Sequence, residues 1–258
     1  MRKMFWAAAT AASAFTGGAA HAGVVITGEA SLSGGAPYPV SYYVESDRLR
    51  EAGDSTEMIY RGDLDRFWTL DMRERRYDEM TRGAMQQMRA QMDAAMQQMR
   101  QQMQSMPEAQ RKQIEAMMAK HEAPRPQEVR YDKAGQPRKV GAWNCAPYRV
   151  TTNGAPSEEL CLARMSDLGL SRGDLKAFSS LSSFVLEIAG PSQGGLSTTT
   201  FNFDDMAKAV GFDAFPIEAI EYAHDGKVDS RTTIKAVEHK SIAPDMFEIP
   251  KGFTKREP

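Results

Sequence analysis

The only two cysteines in the chain, Cys145 and Cys161, stand on either side of an Asn153-Gly154 turn signal, and residue 153 is the midpoint between them. Two strands folding back about that point set the cysteines directly opposite one another. Opposed residues in an antiparallel pair have Cα atoms roughly 4.5–5.5 Å apart, a span a disulfide bridges. Strand alternation puts Tyr148, Val150, Leu160 and Leu162 on one face, and Trp143 with the cysteines on the other. A stapled hairpin at the centre of a β-sheet is therefore expected between Gly141 and Met165. The alternative is two free buried thiols, and the compartment argues against it.

That compartment is read from the first residues. Arg2-Lys3 form a basic start, Met4 to Ala20 run apolar and small, and Ala20-His21-Ala22 is an A-x-A cleavage site. Residues 1–22 read as a secretory signal peptide, and 23–258 as a single exported domain, expected in a bacterial periplasm. Disulfides persist there, and closing a loop of about 15 residues contributes roughly 3 kcal/mol in the chain-entropy picture. No cysteine lies near the cut, so no lipid anchor is expected. No later stretch approaches ~20 consecutive apolar residues, so no transmembrane segment is expected after cleavage. Loss of Arg2 and Lys3 takes the formal net charge from −2 to −4. A mildly acidic exported chain lacks the basic footprint of a nucleic-acid binder.

From Val24 to Met80 short alternating segments are separated by Gly34-Gly35, Ser46-Asp47, Gly53-Asp54 and Gly62-Asp63. This predicts an antiparallel meander. The composition then changes to methionine, glutamine, alanine and charge. Met85, Met88, Met92, Met96, Met99, Met103 and Met106 recur with gaps of three and four only, which is one face of an α-helix. Ser105 and Glu108 suit a fresh helix start, and Ile114, Met117 and Met118 continue an apolar face. Residues 83–123 are thus expected to form a helical hairpin. Beyond it, Gln127 to Tyr131 and Arg138 to Val150 return to β pattern. Ser171 and Asp174 cap a helix from about Leu175 to Ile188. A short helix is expected from Phe203 to Val210. Phe215 to Tyr222 and Val228 to His239 form a last hairpin about Asp225-Gly226, and Phe247-Glu248-Ile249-Pro250 is a final apolar touch before a charged tail. The class is α+β with a mainly antiparallel sheet.

Several short motifs recur in this order: Arg48-Leu49-Arg50, Phe67-Trp68-Thr69-Leu70-Asp71, Arg76-Tyr77-Asp78-Glu79-Met80, Gly141 to Tyr148, Glu159-Leu160-Cys161-Leu162-Ala163 and Phe247 to Phe253. With them the chain resembles an uncharacterised family of bacterial exported proteins, domain-of-unknown-function family 4412. The resemblance covers most of the mature chain. It implies a curved, half-barrel-like sheet similar to the lipoprotein carriers of the Lol pathway, with helices covering the concave side; the periodicity of this chain adds the Met-rich helical hairpin as an insertion. It implies no known activity. The carriers lack an insertion of about forty residues between strands, so the analogy stops short of their cargo.

The methionine stripe has two readings. Thioethers are soft ligands for Cu(I), but ligands must converge on a point, and a helical stripe spreads them over ~30 Å. Methionine also fills irregular apolar surfaces and adapts to varied partners, and this is the preferred reading. Gly190-Pro191-Ser192-Gln193-Gly194 matches G-x-S-x-G, yet a nucleophile elbow needs a strand before the serine and a helix after it. Here a helix is expected before the serine, and the loose Gly195-Leu196-Ser197-Thr198 stretch follows it. Arg172-Gly173-Asp174 spells an adhesion tripeptide that the helix cap already explains. His121, His224 and His239 sit in no zinc spacing, and no pair of carboxylates stands out as buried. The expected function is non-catalytic: binding of an apolar ligand (a lipid, an acyl chain or a segment of an envelope protein), with no cofactor. Copper binding through the stripe is the alternative and hydrolysis at Ser192 a remote one.

Overall fold

Period-two alternation of apolar and polar residues runs through most of the chain, and a computed structural model shows what it builds. Residues 22–104, 107, 128–189, 202–223 and 225–257 are described by it. The strands are β1 (Ala22–Leu32), β2 (Tyr38–Val44), β3 (Arg48–Ala52), β4 (Thr56–Arg61), β5 (Arg66–Asp71), β6 (Arg76–Thr81), β7 (Val129–Lys133), β8 (Arg138–Val140), β9 (Trp143–Thr152), β10 (Ala155–Arg164), β11 (Ala214–Tyr222), β12 (Val228–Ser241) and β13 (Thr254–Lys255). Three α-helices lie among the described residues: α1 (Arg82–Gln104), α2 (Lys176–Ala189) and α3 (Phe203–Val210). The second helix expected after Ser105 lies outside them.

The sheet runs β13-β6-β5-β4-β3-β2-β1-β12-β11-β10-β9-β7, with β8 also on β9. It is open, and every pairing is antiparallel except β13 with β6. Two meanders, β1–β6 and β7–β12, are joined in the middle, where β1 meets β12 from Ala22↔Ser241 to Leu32↔Ser230. The ladder slips once, between Thr27 and Gly28. There a Cβ on residue 28 would come within 2.4 Å of the Thr233 carbonyl oxygen, so only glycine lets the backbones approach.

In the β9–β10 hairpin, Asn153 and Gly154 both take positive φ, 54° and 81°, as a tight two-residue turn requires. Such a turn pairs Thr152 with Ala155 and Thr151 with Pro156. Continued regularly, that register would set Cys145 against Leu162 and send Cys161 to the opposite face. An extra residue, Ser157, prevents this: past it Val150 pairs with Glu158 and Pro147 with Cys161. One inserted residue exchanges the faces of everything beyond it. The Ser157 hydroxyl accepts from Thr152 Oγ1 at 3.0 Å and donates to the Val150 carbonyl at 3.3 Å, binding the bulge locally. The disulfide forms, with Cα atoms 5.3 Å apart. Its cysteines are not directly opposed, however. The midpoint expectation allowed neither for the odd offset of a two-residue turn nor for the bulge. The face assignment holds: Val150, Leu160 and Leu162 gather in one cluster with Tyr148, and both cysteines join another with Trp143.

Helix α2 starts behind a cap in which the Ser171 N–H and hydroxyl donate to Asp174 Oδ2 at 2.8 and 2.6 Å. Its Phe178, Leu181 and Phe184 are buried with Leu175 against Val24, Ile26, Val44, Leu49, Tyr60 and Phe67 of β1–β5. Alternation sends Val25, Ile59, Trp68 and Leu70 to the other face of the same strands. The C-terminal segment covers them, Ile242 and Phe247 over Val25, then Ile249 and Phe253 over Ile59, Trp68 and Leu70. Phe247 is completely buried. The expected apolar touch is therefore a strap across the sheet, and the charged tail behind it adds β13.

Candidate functional site

β2 and β3 pair Tyr42 with Glu51. Glu51 lies two residues beyond the core residue Leu49 on one strand, so alternation aims its carboxylate at the α2 side of the sheet. Tyr42 packs there on Phe178 of α2, ring centroids 5.9 Å apart. Tyr38 stands four residues earlier on the same face. The fourth member comes from β11: Glu221, which accepts a hydrogen bond from Ser230 Oγ at 2.9 Å.

β3 and β11 are separated by β2, β1 and β12, or about 19 Å if the strands lay flat at ~4.8 Å spacing. Glu51 and Tyr42 nonetheless feel the charge of Glu221. Burial, and then that charge, push the Glu51 carboxyl up to about 7. Burial first, then Glu51 and Glu221, raise the Tyr42 hydroxyl well above its ordinary value. Burial, Glu51 and Asp54 raise that of Tyr38. Glu51 and Tyr42 keep some accessible surface although desolvation dominates both. Neither the Glu51 carboxyl nor the Tyr42 hydroxyl has a hydrogen-bond or ion-pair partner among the described residues.

Three other embedded acids are compensated. Glu57 pairs with Arg50, Glu218 with Arg138 and Arg231, and Glu79 accepts from Lys255 Nζ at 2.6 Å and Trp68 Nε1 at 2.9 Å. Glu51 is without such a partner among the described residues. It was missed in the sequence, although the Leu49–Glu51 spacing carried the signal: a carboxylate in phase with a core residue.

The methionine stripe is not gathered into the core. Thr81 Oγ1 accepts the Ala84 N–H at 3.2 Å to start α1, and the Arg82 guanidinium lies over the Phe184 ring at 5.6 Å. Met85 is half-buried and Met103 buried, whereas Met88, Met96 and Met99 are 56%, 37% and 45% exposed. The Met92 side chain lies outside the described residues, as do Ser192, His121 and His224. Exposed Leu64 and Met80 flank the start of α1, where the Arg82 N–H donates to the Asp65 carbonyl. His239 Nε2 lies 2.8 Å from the Gly169 carbonyl. Arg172 is held by Asp204 at 2.8 Å and Asp213 at 2.5 Å. Among the described residues no three His, Cys, Asp or Glu groups are placed to hold a metal ion, and no helix is long and apolar enough to cross a membrane.

Comparison with known proteins gives a family but no activity. The sequence model described as "Domain of unknown function (DUF4412)" matches residues 56–253. No curated protein matches. Among solved structures, an uncharacterized conserved protein from Thermus thermophilus is similar at 6% identity and a TM-score of 0.43, with 90% of each chain covered. PNGF-II is similar at 10% identity and a TM-score of 0.36, over 92% of this chain and 31% of its own.

Proposed function

Because the chain belongs to the DUF4412 family, whose name carries no activity, we propose its function from geometry: a non-catalytic exported protein that holds an apolar ligand between a curved, half-barrel-like sheet and the helices on it. The observation that carries this is the run of uncovered apolar side chains along and beside α1, namely Leu64, Met80, Met88, Met96 and Met99. Apolar side chains collected on one helix and its approaches mark a binding surface more often than a bare surface does. Methionine suits ligands of variable shape, because its unbranched thioether chain repacks readily. Curvature is supported by the coupling of Glu51 to Glu221 across four strand intervals. A bent sheet under helices is what the resemblance to Lol-type carriers implies, and that likeness is one of fold alone. The disulfide suits an oxidising periplasm.

Native mass spectrometry on protein purified from the envelope of its own host, read for lipids and metals together, tests this. A co-purifying lipid or acyl species is the expected result. Protein free of any apolar species but loaded with copper would instead give the methionines to a soft metal.

A further inference from the structure

The sheet ends on one side at β7, which pairs with β9 and with no second strand among the described residues. The direction of its backbone groups follows from the bonds at its two ends. The Asn153 N–H donates to the Glu128 carbonyl at 2.9 Å, and the Ala134 N–H to the Pro147 carbonyl at 2.8 Å. Asn153 Oδ1 accepts the Glu128 N–H at 3.0 Å. Residues 128 and 134 thus face β9, and the ladder between them runs without a shift. Alternation turns the amide and carbonyl groups of Arg130 and Asp132 towards β9 as well, and those of Val129, Tyr131 and Lys133 towards the outer edge. Side chains divide in the same way. Val129 and Tyr131 pack on the cluster of Val150, Leu160 and Met206, while Arg130 and Asp132 stand exposed.

A row of lysines would keep such an edge single. β7 instead carries one arginine and one aspartate, with Tyr131 midway between them. A second copy laid antiparallel over the whole strand has its two-fold axis at Tyr131 and brings Arg130 of each copy opposite the partner's Asp132. These are non-hydrogen-bonded positions, where opposed Cα atoms are only about 4.5 Å apart and opposite charges attract. Arg130 already holds Glu128 through Nε and Nη2, at 2.9 and 2.6 Å, which leaves Nη1 for a second carboxylate. The same register sets Val129 against the partner's Lys133, so that their outward N–H and carbonyl groups exchange hydrogen bonds. We propose that the outer edge of β7 is the interface of a symmetric homodimer in which the sheets of two copies join into one. The proposal stands apart from the apolar-ligand reading, because α1 takes no part in it. A ladder of five residues lies at the small end of specific interfaces, so the dimer forms only at raised concentration.

Sedimentation velocity on the purified protein between about 1 and 300 μM tests this, since a small interface is expected to dissociate within that range. The wild type should pass from monomer to dimer as concentration rises. Arg130→Asp and Asp132→Arg each set like charges opposite one another, and each variant alone should stay monomeric. Mixed in equal amounts the two should form a heterodimer, because both of its charge pairs are then attractive. The double variant, with the charges exchanged, should recover the wild-type dimer. Recovery by mixing also shows that the single variants are folded. Lys133→Pro removes an N–H that points away from β9, so it should abolish association and leave the melting temperature unchanged. A wild type that remains monomeric throughout overturns the proposal. So does a dimer that survives either charge reversal, or one that Met88→Asp dissolves while Arg130→Asp does not, which would move the contact to α1.

Discussion

At the scale of single residues, the informative side chain is a carboxyl placed where its charge is poorly solvated. Glu51 titrates near 7 in the fold, against an ordinary value of 4.5. Between those two pH values the folded protein keeps a proton that the unfolded chain releases, so the contribution of Glu51 to stability is fully present below 4.5 and is lost as pH rises to about 7. The full span corresponds to roughly 3 kcal/mol as an upper limit. Urea unfolding at pH 5 and pH 8 should therefore show the wild type losing more stability than Glu51→Gln over that interval. Superimposable pH profiles for the two proteins would mean that Glu51 titrates as an ordinary surface acid. Nothing in the composition marks this residue. Its neighbours Arg50 and Glu57 look equally charged in the sequence and are satisfied by one another. What distinguishes it is phase with Leu49 and the arrival of Glu221 from a strand about 170 residues later, and only the first of these is local.

At the scale of elements, the β9–β10 hairpin shows how one residue decides a covalent bond. Deleting Ser157 leaves the Asn153-Gly154 turn intact but restores the regular register, which sends Cys161 away from Cys145. Thiol labelling without reductant should then modify cysteines that stay unreactive in the wild type. Replacing both cysteines with serine keeps the bulge and should cost about 2–5 kcal/mol, the usual effect of losing a native disulfide. A deletion variant that still forms the bond would refute the parity argument. Strand positions, the α2 cap and the two apolar faces of this hairpin were legible, because alternation and capping are local signals. The register was not, since a bulge shifts pairing without altering the alternating pattern. Helix α1 was legible for the same periodic reason, but its packing was not: a stripe of methionines does not say what covers it. Leucine at Met88, Met96 and Met99 has nearly the same volume, and such swaps usually cost under about 1.5 kcal/mol each. Folding and lipid co-purification should survive them. Aspartate at Met88 and Met96 should abolish lipid co-purification with little loss of stability, because both side chains are already exposed. Loss of ligand in the leucine variant would point instead to the thioether sulfur.

For the molecule as a whole, the C-terminal segment matters more than its length suggests. It lies over Val25, Ile59, Trp68 and Leu70, and it is tied down by ion pairs of Arg61 with Glu248 and of Lys255 with Glu79, and by Arg50 donating to the Met246 carbonyl at 2.9 Å. Phe247→Ala should cost about 3–5 kcal/mol, as truncation of a fully buried aromatic does, read as a lower denaturation midpoint. A change under about 1 kcal/mol would show that the strap contributes little. The joint between the two meanders carries a different consequence, one of timing. β1 is made first, yet half of its backbone pairing belongs to β12, roughly two hundred residues later. While a ribosome delivers the chain in order, Val24-Val25-Ile26 waits with one edge bare, and an exposed apolar edge recruits strands from other chains. Folding of so non-local a sheet is intrinsically slow. The sheet is completed only when almost the whole chain has emerged, so a nascent copy depends on whatever shields that first strand in the meantime.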